Sequence, residues 1–222
     1  MSAKNNIKKI LIVDDFPIIR FGLKKLIEKE KDIKICGDTA SVNEAVNLIT
    51  NLEPDLIILD MLLEGSVSGI NLLRAIKNRF PFLFSLVFSV YDEPIYAEHA
   101  IKAGAKGYIT KKESDMVVIE AIRKVMNGEL YLSNNISLKI VGKLLGCTDG
   151  NSITLENRLS EREFEIFHII GSGLGTKEIA RKLNLSVNTI ESHKRHIKQK
   201  LNIKDSNNLM KHAVQWMHTQ NK

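Results

Sequence analysis

Leu56-Ile57-Ile58-Leu59-Asp60 is a run of four apolar residues that stops on a carboxylate. A run this apolar, with Pro54 before it and a stretch containing Gly and Ser after it, predicts a central strand of a parallel sheet covered on both faces. Asp60 then stands at the carboxyl end of the strand, on the edge of an open α/β sheet where ligands bind. A lone Asp in that place more often caps the following helix. The reading therefore turns on what ends the other strands.

Outward from Leu56, strand and helix patterns alternate about every 25 residues. Ile10 to Val13 reads as a strand ending in Asp14-Asp15, and Pro17 opens an amphipathic helix carrying Ile18, Ile19, Phe21, Leu23, Leu26 and Ile27. Ile33 to Cys36 is a second strand, followed by a helix that Ser41 caps, with Glu44 completing a capping box. After Leu56 to Leu59 comes a helix with Ile70, Leu72, Leu73 and Ile76, ended by Phe80-Pro81. Leu83 to Phe88 is the fourth strand, ending at Ser89, and Pro94 to Ala103 is a helix stopped by Gly104. Gly107 to Thr110 is a short fifth strand ending at Lys111, and Glu113 to Met126 is the fifth helix, closed by Asn127-Gly128. Five such units predict a doubly wound, flavodoxin-like, five-stranded parallel sheet over residues 1–127.

In a parallel sheet the strand ends share one edge, so Asp14, Asp15, Asp60, Ser89 and Lys111 converge. Crowded carboxylates repel one another unless a cation neutralises them, and hard oxygen ligands on an open site favour Mg²⁺. Lys111 as a point charge and Ser89 as a hydroxyl donor suit a phosphoryl group carried by Asp60, whose carboxylate acts as nucleophile. The chain has no glycine-rich phosphate loop of the Walker or dinucleotide type.

These residues give residues 8–126 a resemblance to the receiver domain of two-component response regulators: Ile12-Val13-Asp14-Asp15, Asp60, Ser89, and Gly107-Tyr108-Ile109-Thr110-Lys111. The resemblance implies that Asp60 is the phosphoacceptor and that a sensor histidine kinase is the donor. It implies Mg²⁺ held directly by Asp15 and Asp60 with the Leu62 backbone carbonyl, and by Asp14 mainly through water. It also implies a switch in which Ser89 swings toward the phosphate and Tyr108 follows inward. The chain departs from the family after the acceptor: Glu64 and Ser68 stand where proline and glycine are usual, and Gly69 comes one residue late, which predicts a loop longer by one. Leu62 and Tyr91, at positions that tune phosphate lifetime in the family, are apolar or bulky here and would hinder an attacking water.

Charge divides the chain. Residues 158–222 carry 12 Lys and Arg against 6 Asp and Glu, and so hold all of the net charge of +6, along with five of the six histidines. That asymmetry predicts a near-neutral module joined to one that meets a polyanion. Residues 128–157 read as a linker with a short helix from Ile136 to Leu145, followed by a flexible stretch from Gly146. Cys36 and Cys147 form no CxxC pair, and the first apolar stretch is too short for a signal peptide or a membrane span, so a cytoplasmic protein without a metal-thiolate site is expected.

Residues 158–222 are helical in pattern throughout. Ser160 and Glu163 make a capping box before Phe164, Ile166, Phe167, Ile169 and Ile170, and Gly171 and Gly173 end that helix. A short helix at Lys177 to Leu183, a turn at Leu185-Ser186 and a longer helix from Val187 to Leu201 match the helix-turn-helix plan, closed by a helix at Ser206 to Trp216. On the long helix, Ile190, Ile197 and Leu201 share one face. Opposite lie Asn188, Ser192, Arg195 and Gln199, flanked by Thr189, Glu191 and His196, with Lys194, Lys198 and Lys200 placed for phosphates. Taken alone, that face fits a solvated surface as well as it fits DNA.

A second resemblance, over residues 158–216, decides between them. Leu159-Ser160-Glu161-Arg162-Glu163, Gly173 to Ala180, and Leu185-Ser186 with Thr189-Ile190-Glu191-Ser192-His193 are similar to the LuxR-type helix-turn-helix. Ser206 stands where many members carry Arg or Lys. Receiver plus LuxR-type module resembles the NarL/FixJ response regulators, which implies a phosphorylation-dependent, DNA-binding transcription regulator and not an enzyme. The implied partners are a sensor histidine kinase, double-stranded DNA and a second copy of the chain when phosphorylated, with RNA polymerase a further candidate and no membrane. A phosphohydrolase using a strand-end Asp nucleophile would need a second Asp at position 62, which is Leu. A protein-interaction adaptor is the remaining alternative, and DNA binding discriminates it.

Overall fold

The computed structural model describes residues 7–61, 63, 69–90, 93–134, 136–138, 158–183 and 185–220. The chain forms two compact units that divide near residue 141.

The first unit is a parallel sheet of β1 (Lys8–Val13), β2 (Ile33–Thr39), β3 (Leu56–Leu59), β4 (Phe84–Ser89) and β5 (Gly107–Thr110), ordered β2-β1-β3-β4-β5. Five helices connect and follow the strands: α1 (Pro17–Ile27), α2 (Val42–Leu52), α3 (Gly69–Arg79), α4 (Glu93–Ala103) and α5 (Asp115–Met126). Side chains alternate across each strand. Ile10 and Ile12, Leu56 and Ile58, and Leu86 and Phe88 therefore face one layer, packed with Leu23 and Ile27 of α1 and Val118, Ala121, Ile122 and Val125 of α5. Leu11, Val13, Ile57, Leu59 and Val87 point the other way and are equally buried. Each such side chain contributes roughly 1.5–3 kcal/mol on burial. Chain order reverses between β1 and β3, so the crevice of a doubly wound sheet opens where Asp14 and Asp60 end their strands.

The expected elements are present with shifted ends. β1 starts two residues earlier, β2 runs on to Thr39, β4 is Phe84–Ser89 and not Leu83–Phe88, and α5 starts at Asp115 after Ser114. Sheet hydrogen bonds extend past the apolar stretches in β1, β2 and the end of β4, and α5 starts behind its N-cap Ser114. Gly104 does stop α4, with φ of +119° and its N–H on the Ala100 carbonyl. The capping box at α2 is only half made. Ser41 Oγ accepts from the Glu44 N–H, but the Glu44 carboxylate takes the Thr39 hydroxyl, and the Ser41 N–H donates to Thr39 Oγ1 instead.

Nor does strand pairing stop at residue 128. Tyr131 donates its N–H to the Lys106 carbonyl and accepts from the Tyr108 N–H, both at 3.0 Å, so the first residues of the expected linker cover the outer edge of β5. Residues 136–138 are helical; the rest of the expected short helix and the stretch from Gly146 to Asn157 lie outside the described residues.

The second unit holds α6 (Glu161–Gly171), α7 (Thr176–Lys182), α8 (Val187–Leu201) and α9 (Ser206–Gln220). The Ser160–Glu163 capping box is reciprocal, with Ser160 N–H to Glu163 Oε2 at 2.7 Å and Glu163 N–H to Ser160 Oγ at 3.3 Å. Gly171 belongs to α6 and does not end it: a Cβ there would meet Met217 Sδ at 2.6 Å, so glycine lets α6 and α9 approach. Phe164, Phe167, Ile179, Ile190, Ile197 and Leu209 fill the core, and Trp216 packs edge-on to Phe164, Phe167 and His168.

Candidate functional site

Parallel pairing delivers the strand ends to one edge, and backbone bonds carry on just beyond them. The Asp14 N–H donates to the Thr39 carbonyl (3.1 Å), the Asp60 N–H to Val13 (2.9 Å) and the Lys111 N–H to Ser89 (2.7 Å). The side chains then meet. Lys111 Nζ lies 2.6 Å from Asp14 Oδ2 and 2.7 Å from Asp60 Oδ2, with its side chain only 4% exposed. Ser89 donates its hydroxyl to Asp60 Oδ1 at 3.0 Å, and the Phe16 N–H donates to Asp14 Oδ1 at 2.9 Å. The rings of Phe16 and Phe88 flank the same ammonium, with centroids 5.3 and 6.0 Å away.

Asp14, Asp15 and Asp60 each offer an oxygen within 4.8 Å of the others. Burial pushes the Asp14 carboxyl up, Lys111 and the Phe16 N–H pull it back, and the neighbouring Asp60 adds to the rise. Three carboxylates facing one ammonium leave a negative balance that a divalent cation fits, and an all-oxygen donor set is the kind Mg²⁺ takes. Tyr108 is buried, and the Ser89 hydroxyl points at Asp60. Leu62, Tyr91 and the loop 64–68 lie outside the described residues. Gly69 shows why glycine is needed one residue late: a Cβ there would sit 2.8 Å from the Met61 carbonyl oxygen and closer still to that of Asp60.

Sequence reasoning missed Arg20, Asp38, Thr39 and Phe16, which surround Asp14. Phe16 and Arg20 reach Asp14 from the turn into α1, and pairing of β1 with β2 brings Asp38 and Thr39 from 24 and 25 residues away.

In the second unit, α8 buries Ile190 and Ile197 completely and exposes Asn188, Glu191, Arg195 and Gln199, with Ser192 half-buried beside Arg195. Thr189 belongs to the helix cap, its hydroxyl 2.8 Å from Ser186 Oγ. Glu191 and Lys194 are engaged across the turn, because Thr176 at the start of α7 donates to Glu191 Oε1 (2.8 Å) and accepts from Lys194 Nζ (2.9 Å). These two therefore fix α8 against α7. Lys200, expected beside phosphates, reaches Glu163 Oε2 at 2.6 Å and ties α8 to the cap of α6, while Lys198 stays half-exposed beside Ser206.

A doubly wound sheet with an acidic cluster, a hydroxyl and a lysine along one edge, followed by a helix-turn-helix, defines a receiver joined to a DNA-binding module. Residues 10–123 match the response regulator receiver domain, and residues 157–213 match the bacterial regulatory proteins of the luxR family. The chain belongs to the two-component response regulators that act as transcription regulators. It is 36% identical over 209 residues to the oxygen regulatory protein NreC of Staphylococcus carnosus (strain TM300), covering 93% of this chain and 96% of that protein. Among solved structures it resembles the response regulator RcsB in complex with DNA (26% identity, TM-score 0.68, 93% of this chain and 98% of that one). It shares its fold with RcsB from Salmonella enterica serovar Typhimurium bound to promoter P1flhDC in the presence of the phosphomimetic BeF3⁻ (24%, TM-score 0.70, 94% and 98%). Among the described residues no helix is long and apolar enough to cross a membrane.

Proposed function

We propose that Asp60 is the residue through which phosphorylation controls this regulator, and that α8 is the element that reads DNA. The observation that carries the reading is the bridging of Asp14 and Asp60 by Lys111 with Ser89 on the second Asp60 oxygen. An Asp60 oxygen attacks the phosphorus of a phosphohistidine on a sensor kinase; the O–P bond forms, the N–P bond breaks and the imidazole leaves with its electron pair. Ser89 and Lys111, already placed on the two oxygens, then donate to the phosphoryl oxygens. Asp15 and Asp60, with the Leu62 carbonyl, would hold Mg²⁺ directly. Asp14 would do so mainly through water, as the family resemblance implies. Bound there, the ion neutralises charge on the carboxylates and the transferring group.

Phosphorylation favours a dimer, because a single helix-turn-helix buries only roughly 600–1,000 Å² on DNA and such modules bind paired half-sites. Asn188, Ser192, Arg195 and Gln199 face base edges, and Lys198 faces the backbone. A receiver that runs on past the Tyr131 pairing and a DNA-binding module from residue 158 go with this division of labour, and RNA polymerase is the expected downstream contact. The experiment is labelling by acetyl phosphate with Mg²⁺, followed by a gel shift on fragments of the source genome. Asp60→Asn, nearly isosteric and uncharged, is expected to abolish labelling and the labelling-dependent gain in DNA affinity. Undiminished labelling would exclude Asp60 as acceptor.

A further inference from the structure

Every polar group of Asp14 is held. Its N–H goes to Thr39, its two carboxylate oxygens to Phe16 and Lys111, and its carbonyl oxygen accepts from Arg20 Nη1 at 2.7 Å. That last bond concerns Asp15 as much as Asp14, because the carbonyl belongs to the planar peptide joining the two residues. Its orientation sets the direction from which the Asp15 carboxylate leaves the backbone. Arg20 is itself fixed: its Nε donates to Asp38 Oδ2 at 2.9 Å, and Lys24 Nζ holds the other Asp38 oxygen at 2.5 Å. Asp38 lies on β2, which β1 pairs with directly, so the guanidinium spans from the edge strand to the turn that bears both acids.

Helix stability does not account for a cation at this place. Arg20 sits in the first turn and a half of α1, where the helix dipole disfavours positive charge, and that turn has no acidic residue to offset it. An ion pair with Asp38 alone, partly solvated, is worth little. The geometry uses what arginine has and lysine lacks, a rigid fork that donates to two acceptors at once.

We propose that Arg20 is a positioning residue that sets the Mg²⁺ affinity of the acidic site by fixing the Asp14–Asp15 peptide, with Asp38 as its anchor. This rests on the reading of that site as a Mg²⁺-dependent phosphoacceptor. The test is calorimetric titration of MgCl₂ into the full chain stripped of metal, alongside thermal melting in EDTA, for wild type, Arg20→Met, Arg20→Lys and Asp38→Asn. Loss of a group that orients a metal ligand weakens binding by about 10-fold or more. Arg20→Met is expected to show that loss. Arg20→Lys follows it despite the retained charge, because one ammonium does not span both acceptors, and Asp38→Asn moves in the same direction. A wild type that binds Mg²⁺, with both Arg20 variants folded and within about twofold of it, overturns the inference and leaves the site reading intact. Lower melting temperatures with unchanged Mg²⁺ affinity also overturn it, since Arg20 would then serve only stability. A wild type that binds no Mg²⁺ overturns the site reading and this inference together.

Discussion

Adding one methyl group at Gly69 should damage both the stability of the receiver and the chemistry of Asp60. A Cβ at this position would lie 2.8 Å from the Met61 carbonyl oxygen and closer to that of Asp60, whereas ordinary contact starts at 3.4 Å. The shortfall is about 0.6 Å at the Met61 oxygen and larger at the Asp60 oxygen, so the backbones must part by more than that. Both obstacles are main-chain atoms, so no rotamer relieves the clash, and Met61 and Leu63 are buried and cannot give way freely. Overpacking of this kind costs about 1–3 kcal/mol, which for a unit of this size is a fall of roughly 5–10 °C in melting temperature. The displaced strand end carries Asp60, whose oxygens lie 3.0 and 2.7 Å from Ser89 and Lys111. Misplacement by 1 Å costs about 100-fold in rate, so a shift of this size implies labelling slower by roughly 10-fold or more. The assay is thermal melting by circular dichroism together with the initial rate of acetyl phosphate labelling. Gly22→Ala is the control: a Cβ there meets nothing within 4 Å, and alanine should stabilise α1 by up to about 1 kcal/mol. If Gly69→Ala melts and labels like wild type, the close approach is not a constraint on Asp60.

Lys111→Met leaves Asp14 and Asp60 facing each other without their shared ammonium; breaking a buried pair costs about 3–5 kcal/mol, so the variant should melt lower in EDTA and recover with Mg²⁺, and a melt equal to wild type in EDTA would contradict this. In the second unit, burial, aided by the charge of Lys182, holds the His168 pKa down from 6.5 to about 4, so the folded state resists protonation. Stability contributed by neutral His168 is complete above pH 6.5 and is lost as pH falls toward about 4, up to about 3 kcal/mol. Fluorescence of the single tryptophan, Trp216, reports unfolding beside it; His168→Phe should flatten that pH dependence, and an unchanged profile would assign it elsewhere. On DNA, Arg195→Ala should lower discrimination between operator and random duplex, while Lys198→Ala should weaken both equally and reduce the salt slope by about one unit. Equal losses from the two variants on every sequence would refute the division between base and backbone contacts.

Much of this molecule was legible along the chain because its signals are local. Ile10 to Val13 and Leu56 to Leu59 declare buried parallel strands by composition alone, and the acids that end them fall at one edge by the geometry of parallel pairing. The Ser160 cap, the turn before α8 and the two-sided α8 helix are likewise written within a few residues of each other. The half-made box at Ser41 shows the limit of such signals: the spacing of Ser41 and Glu44 is right, but Thr39, brought there by the end of β2, competes for the carboxylate.

What the sequence determined alone is the residue inventory of the site, Asp14, Asp15, Asp60, Ser89 and Lys111, and the face of α8 that buries Ile190 and Ile197. Only the tertiary structure decided how those groups are held. Lys111 bridging Asp14 and Asp60, Arg20 spanning from Asp38 to the Asp14 carbonyl, Tyr131 closing the edge of β5, and Thr176 engaging Glu191 and Lys194 all join residues far apart in the chain. Periodicity reports which side of an element faces the core. A charged or hydroxyl side chain takes whichever partner packing brings within about 3 Å, and that partner is set by strand order and helix crossing, which no local pattern records.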